Sequence, residues 1–153
     1  MRVTQFSDIG LRVLIYLSKA SNERAPATIA EIAGQFDIAV NHLVKVVGHM
    51  ARVGWIQATR GRNGGIRLAV EPDTLHIGSV LRELEGDAEL IDCNARQCSL
   101  SQDCRLRSAL DEGLKAFYDA LDRYTLSDMT AGGTGEKIVR MHRAFLQKSL
   151  QFA

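Results

Sequence analysis

Between Asp37 and Glu71 the chain carries no acidic residue, and its clearest local patterns lie in and around that window. Just before it, Thr28 and Glu31 form a Thr-x-x-Glu capping box that opens a short helix carrying Ile29, Ile32 and Phe36. After a turn near Asp37, a second helix runs from about Ala39 to Arg52, with Leu43, Val46, Val47 and Met50 as its buried stripe. Gly54 follows, where a left-handed cap is expected. Two strand-like segments, 55–59 and 66–70, then flank Arg60-Gly61-Arg62-Asn63-Gly64-Gly65. In that loop Asn-Gly is suited to the positive φ angles of a tight hairpin turn.

Two short helices joined by a tight turn, the second one basic, describe a helix-turn-helix. A hairpin directly after the second helix reads as a wing. The expected fold is therefore mainly α with a small β-hairpin wing: a winged helix-turn-helix domain followed by a long dimerisation helix. Net charge is only +1, but its distribution is uneven. Of 19 Lys and Arg, five (Lys45, Arg52, Arg60, Arg62 and Arg67) fall in the acid-free window, leaving 14 against 18 Asp and Glu elsewhere. A solvated surface or an ordinary hairpin would share this composition. The lack of acids across helix and hairpin together favours double-stranded DNA as a partner. Candidate base-reading residues are Asn41, His42 and Lys45 at the start of the recognition helix. His49, later on that helix, is a candidate phosphate contact. Arg60, Arg62 and Asn63 on the wing suit the backbone or the minor groove, and Thr28 completes the DNA-binding set.

The remaining chain frames this unit. Thr4 is a plausible N-cap for a helix to about Ala20 carrying Phe6, Ile9, Val13, Tyr16 and Leu17. Pro72-Asp73-Thr74 punctuates the chain before a helix with Leu75, Ile77, Val80, Leu81 and Leu84 that ends at Gly86. A long helix spans about Arg105 to Tyr124. Its stripe of Leu106, Leu110, Leu114, Phe117, Leu121 and Tyr124 is either core or dimer seam. The seam is favoured, because a helix-turn-helix usually reads two half-sites as a symmetric pair. Thr125 to Asp128 starts a further helical turn. Residues 131–135 read as a flexible linker, and Ile138, Met141, Phe145 and Leu146 mark a tail that docks as a terminal helix. The expected division is 1–85 (DNA-binding), 86–104 (cofactor loop), 105–128 (dimerisation) and 129–153 (linker and tail). No apolar run approaches the ~20 residues of a membrane span, and the N-terminus lacks a signal-peptide pattern, so a cytoplasmic protein without membrane partners is expected. No nucleophile–base motif or cofactor-binding strand-turn-helix unit points to an enzyme. Gly132 to Lys137 does not fit a phosphate-binding loop.

The three cysteines, Cys93, Cys98 and Cys104, all lie in or at the edge of the aperiodic stretch 87–103. An odd count confined to one segment does not read as a disulfide framework. A structural zinc site needs four ligands, and no histidine lies between Asp87 and Asp103. Unmetallated buried thiols remain an alternative, but irregularly spaced thiolates in a loop suit an iron–sulfur cluster. Three thiolates fall one short of the usual four ligands. A cluster with one weak or open position suits a sensor better than an electron carrier.

Phe6-Ser7-Asp8-Ile9-Gly10-Leu11-Arg12, Asn41-His42-Leu43-Val44-Lys45, Gly61-Arg62-Asn63-Gly64-Gly65-Ile66-Arg67-Leu68 and the cysteine triad together resemble the NsrR/IscR-type iron–sulfur winged-helix repressors of bacteria. The resemblance runs from Met1 to about Asp128 and is greatest to the family's nitric-oxide-sensing members. The histidine that another branch uses as a ligand three residues after the third cysteine is replaced here by Arg107. The resemblance implies that Asp8 of one subunit completes a cluster held by Cys93, Cys98 and Cys104 of the other, [4Fe–4S] in preference to [2Fe–2S]. Arg12, one turn on, would orient that carboxylate, although a first-turn acid also complements the helix dipole. The implied function is a homodimeric repressor of palindromic operators, released when nitric oxide nitrosylates the cluster. The alternative is the same fold sensing iron, oxygen or redox state through a [2Fe–2S] cluster.

Overall fold

The computed structural model describes residues 3–61, 64–86, 90–91, 98 and 104–151. Helix α1 (Gln5–Ala20) begins at Thr4, whose hydroxyl accepts from the Ser7 amide at 3.2 Å. Helix α2 (Ile29–Phe36) has the expected capping box in full: Thr28 Oγ1 accepts from Glu31 N, and Glu31 Oε2 accepts from Thr28 N. Asp37 ends it in the left-handed region, and α3 (Val40–Val53) follows and stops at Gly54 with φ 88°.

Strands β1 (Ile56–Thr59) and β2 (Gly65–Leu68) pair antiparallel, with Ile56 opposite Leu68 and Thr59 opposite Gly65. The connection is thus the five-residue loop 60–64 rather than a two-residue turn. Its positive φ falls on Gly61, at 110°, and not on Gly64; Asn63 lies outside the described residues. The Gly64 amide donates to Gly61 O at 2.9 Å within that loop. The wing is fixed to the α2 entrance by Ile66 N donating to Ala27 O at 2.7 Å.

A 3₁₀ turn (Pro72–Thr74) leads to α4 (Ile77–Glu85). Helix α5 (Arg105–Leu121) ends three residues before the expected Tyr124, because Asp122 turns its carboxylate onto α4. Asp122 Oδ1 accepts from Ser79 N at 2.6 Å and from Ser79 Oγ at 3.0 Å, and Arg82 reaches Oδ2 at 3.2 Å. Burial alone would raise this carboxyl, but those donors hold it below its ordinary value. Returning chain then pairs Ile77 N with Tyr124 O and Leu126 N with Leu75 O. Helix α6 (Leu126–Met129) has its own capping box from Thr125 and Asp128.

The C-terminal tail corrects the expected linker. Helix α7 (Gly133–Gln151) starts inside residues 131–135. Gly135 is buried so tightly that a Cβ would lie 2.5 Å from Thr130 O and 2.9 Å from Lys19 Cε. Gly135 thus permits close packing, and Gly132, with φ 62°, turns the chain into the helix. The docked terminal helix is present, but its most buried side chain is His142, with no exposed surface. The buried cluster accordingly runs from Val13, Leu14 and Leu17 of α1 through Ile32, Leu43 and Met50 to Leu126 of α6 and Ile138 of α7.

His142 meets Glu31. Nδ1 lies 2.6 Å from Glu31 Oε1, which also accepts from Tyr16 OH at 2.6 Å, and Nε2 lies 3.1 Å from Ala25 O. Both ring nitrogens face acceptors, which ties the buried ring to α2 and to the loop before it. Burial, with the Glu31 hydrogen bond and charge added, pushes the Tyr16 phenol well above its ordinary range.

Removing one partner of a buried pair costs about 3–5 kcal/mol, and His142→Ala is expected to lose that much in urea unfolding. Asp122→Ala is expected to lower Tm by a few degrees at pH 7. Because the folded carboxyl is held low, the stabilisation is complete well above 3.8 and is lost as pH falls through the lower, folded value. Variant and parent melting curves should therefore converge once the pH falls below the folded carboxyl's value.

Candidate nucleic-acid interface and cysteine site

Helix α3 presents one face to the core and one to solvent. Leu43, Val46, Val47 and Met50 are buried, as the stripe predicts. Asn41, His42 and Lys45 are exposed on the other side. Val40 and Val44, each 50% exposed, stand among them. These two valines were not singled out from sequence, yet the signal was available: they are one turn apart and off the buried stripe. Ala39 provides no side-chain cap, so the first-turn amides of α3 lack that partner. Arg60 is exposed at the wing; Arg62 and Asn63 lie outside the described residues. Thr28 is half-buried at the α2 entrance, its hydroxyl engaged by the capping box.

Two basic side chains of the acid-free window turn inward. The Arg67 guanidinium donates to the carbonyls of Ser21, Glu23 and Arg24, tying the wing to the α1–α2 loop. The His49 ring meets Phe6 edge-on with centroids 5.5 Å apart. Its Nε2 lies 3.2 Å from Glu83 Oε1, close enough for an ion pair though not aligned as a hydrogen bond. His49 therefore joins α3 to α1 and α4.

Asp8 lies in the first turn of α1, with its side chain 51% exposed. Arg12 Nε donates to both of its carboxylate oxygens at 3.0 Å, the contact expected of a residue that orients Asp8. In water such an i, i+4 pair contributes only about 0.3–0.5 kcal/mol. It orders the carboxylate more than it stabilises the fold. The start of α1 is held to the end of α4 by Thr4 N donating to Glu85 Oε1 at 2.8 Å. Cys98 and Cys104 are half-buried free thiols, and Cys93 lies outside the described residues. Among the described residues no group of three or more His, Cys, Asp and Glu is gathered as a metal site. Cys104 is the N-cap of α5 and makes no side-chain capping bond. Arg107, where another branch places a histidine ligand, has Nε 3.9 Å from Asp111 Oδ2.

A helix-turn-helix with an exposed polar recognition face and an anchored hairpin wing defines a winged-helix DNA-binding regulator. The Rrf2 family model, described as "Iron-dependent Transcriptional regulator", matches residues 3–132, and the chain belongs to this family. Curated relatives named "HTH-type transcriptional regulator NsrR" include one from Bacillus licheniformis, 42% identical over 84% of this chain and 92% of its own. Another, from Geobacillus kaustophilus, is 44% identical over 84% of this chain and 89% of its own. Among solved structures, T. potens IscR superposes with a TM-score of 0.65 at 23% identity, over 84% of this chain and 85% of its own. The cysteine regulator CymR of B. subtilis superposes at 0.62 and 25% identity, over 86% of this chain and 97% of its own. These relatives are transcriptional regulators, not enzymes. No described helix is long and apolar enough to cross a membrane.

The different surroundings of two wing arginines yield a contrast. Arg60→Ala is expected to weaken binding to all duplex sequences and flatten the salt dependence by about one unit of log–log slope. Arg67→Ala is expected to lower the melting temperature while leaving that slope unchanged, as read by fluorescence anisotropy across a salt series.

Proposed function

We propose that the chain is a homodimeric repressor that carries an iron–sulfur cluster and releases operator DNA in response to nitric oxide. One observation carries this reading: a segment with three cysteines accompanies an exposed, Arg12-oriented Asp8 carboxylate. The 42–44% identity to regulators named NsrR supports it. Cys93, Cys98 and Cys104 would supply thiolates and Asp8 of the partner subunit the fourth ligand, giving [4Fe–4S]. When bound, the cluster would supply iron reactive toward nitric oxide, with oxygen a poor match among soft sulfur donors.

The chain's own residues provide the rest. Arg12 would hold the exposed Asp8 carboxylate in place for a partner's cysteine segment to meet. Leu106 is 61% exposed on α5, and Leu110, Leu114, Phe117 and Leu121 along the same helix are only half-buried. That stripe would bury its apolar surface against a second copy and set the spacing of two recognition helices on a palindromic operator. Asn41, His42 and Lys45 would read base edges, while the Val40 and Val44 methyls suit thymine methyl groups. Arg60, Arg62 and Asn63 would meet backbone or minor groove.

Anaerobic purification is expected to give a protein with a visible charge-transfer spectrum that nitric oxide bleaches as duplex binding is lost. A spectrum indifferent to nitric oxide, or DNA binding independent of the cluster, would contradict the reading. Asp8→Ala is expected to shorten the cluster's lifetime in air several-fold; an unchanged lifetime removes Asp8 from the ligand set.

A further inference from the structure

Helix α7 lies beyond residue 132, where the match to the family model ends, and yet it is built into the DNA-binding unit. Three contacts fix its path. Gly135 lies against Lys19 and Thr130 at one end, and His142 is locked to Glu31 in the middle. At the other end Phe145, Leu146 and Ser149 share a groove of about 870 Å³ with Thr28, Thr59 and Gly64. The last turn of α7 therefore lies beside the entrance of α2 and the wing. In helix-turn-helix docking, the recognition helix occupies the major groove while the helix before it crosses the phosphate backbone. The charge of α7 fits that position: Lys137, Arg140, Arg143 and Lys148 stand against the single acid Glu136. Arg143 is engaged by Glu23 at 3.0 Å through both Nε and an amino nitrogen. Lys148 is exposed in the last turn, next to the groove-lining Ser149.

We propose that α7 is a third DNA-contacting element beside the recognition helix and the wing, with Lys148 meeting a backbone phosphate. The inference rests on the reading of α3 and the wing as the DNA face. The partner is duplex DNA recognised through its phosphates, so the contact adds affinity rather than sequence preference. The Glu31–His142 pair then has a functional consequence, because it holds a basic helix end at the interface.

The test uses the full-length protein and a fluorescent mixed-sequence duplex of about 30 base pairs, titrated over a salt series, with Lys148→Glu, Lys137→Glu and Arg60→Ala. Lys137 lies on the same helix, 11 residues and roughly 16 Å from Lys148. Both lysines are exposed, so melting curves should match the parent. Lys148→Glu is expected to weaken binding roughly 3- to 10-fold near 0.1 M salt and to lower the log–log salt slope by about one or two. Lys137→Glu is expected to remain within about two-fold, since it lacks a phosphate within reach. If Lys148→Glu changes nothing while Arg60→Ala lowers the slope, the α7 proposal is wrong and the DNA face stands. Equal losses from both lysine variants would also overturn it, as a general charge effect. If Arg60→Ala and Lys148→Glu both leave the slope unchanged, the DNA face itself fails and α7 with it.

Discussion

The Glu31 carboxylate is the joint on which the DNA-binding unit depends. It caps α2 through Thr28, accepts from Tyr16 in the C-terminal half of α1, and holds His142 of α7. A carboxylate at 1% exposure is tolerable only because each oxygen is occupied by a donor. The same group that starts one helix thereby sets the orientation of two others. Losing one partner would leave a buried polar group unsatisfied, which carries a large penalty. What the pair chiefly contributes is geometry, by fixing which way α7 lies across the helix-turn-helix.

The acid-free window separates by location into surface and scaffold. Asn41, His42, Lys45 and Arg60 face solvent. Arg67 is spent on three backbone carbonyls and His49 on Phe6 and Glu83. The scaffold contacts have a directional logic. His49 sits on the recognition helix, Phe6 is two residues from Asp8, and Glu83 and Glu85 stand at the end of α4 before the cysteine segment. Helix α1, which bears Asp8, is therefore in direct contact with the helix that would read DNA, and α4, which precedes the cysteine segment, meets it through Glu83.

Much of this was legible from local chemistry. Thr4, the Thr28–Glu31 box and Gly54 mark helix ends because capping depends on residues within one turn. The buried stripe of α3 followed from 3.6-residue periodicity. Three features were not legible, each because a distant partner decides it. Asn63-Gly64 suggested a tight turn, but the strand pairing leaves 60–64 as the loop, and among its described residues the positive φ is at Gly61. Residues 131–135 looked like a linker, since nothing local reveals that Gly135 packs against Lys19. His142 carries no local sign of its partner, and only the fold brings it to Glu31, 111 residues earlier. At the cysteine site, composition and spacing suggested the cofactor class and family resemblance suggested the ligands. The Asp8–Arg12 contact was foreseeable from i, i+4 spacing alone.

Native mass spectrometry of the anaerobically purified protein tests the central claim most directly, because one spectrum reports oligomeric state and cluster mass together. The account predicts a dimer whose excess mass corresponds to one [4Fe–4S] unit per subunit, with nitric oxide adducts on that species. A cluster-free or monomeric protein that still binds operator DNA with full affinity would contradict it.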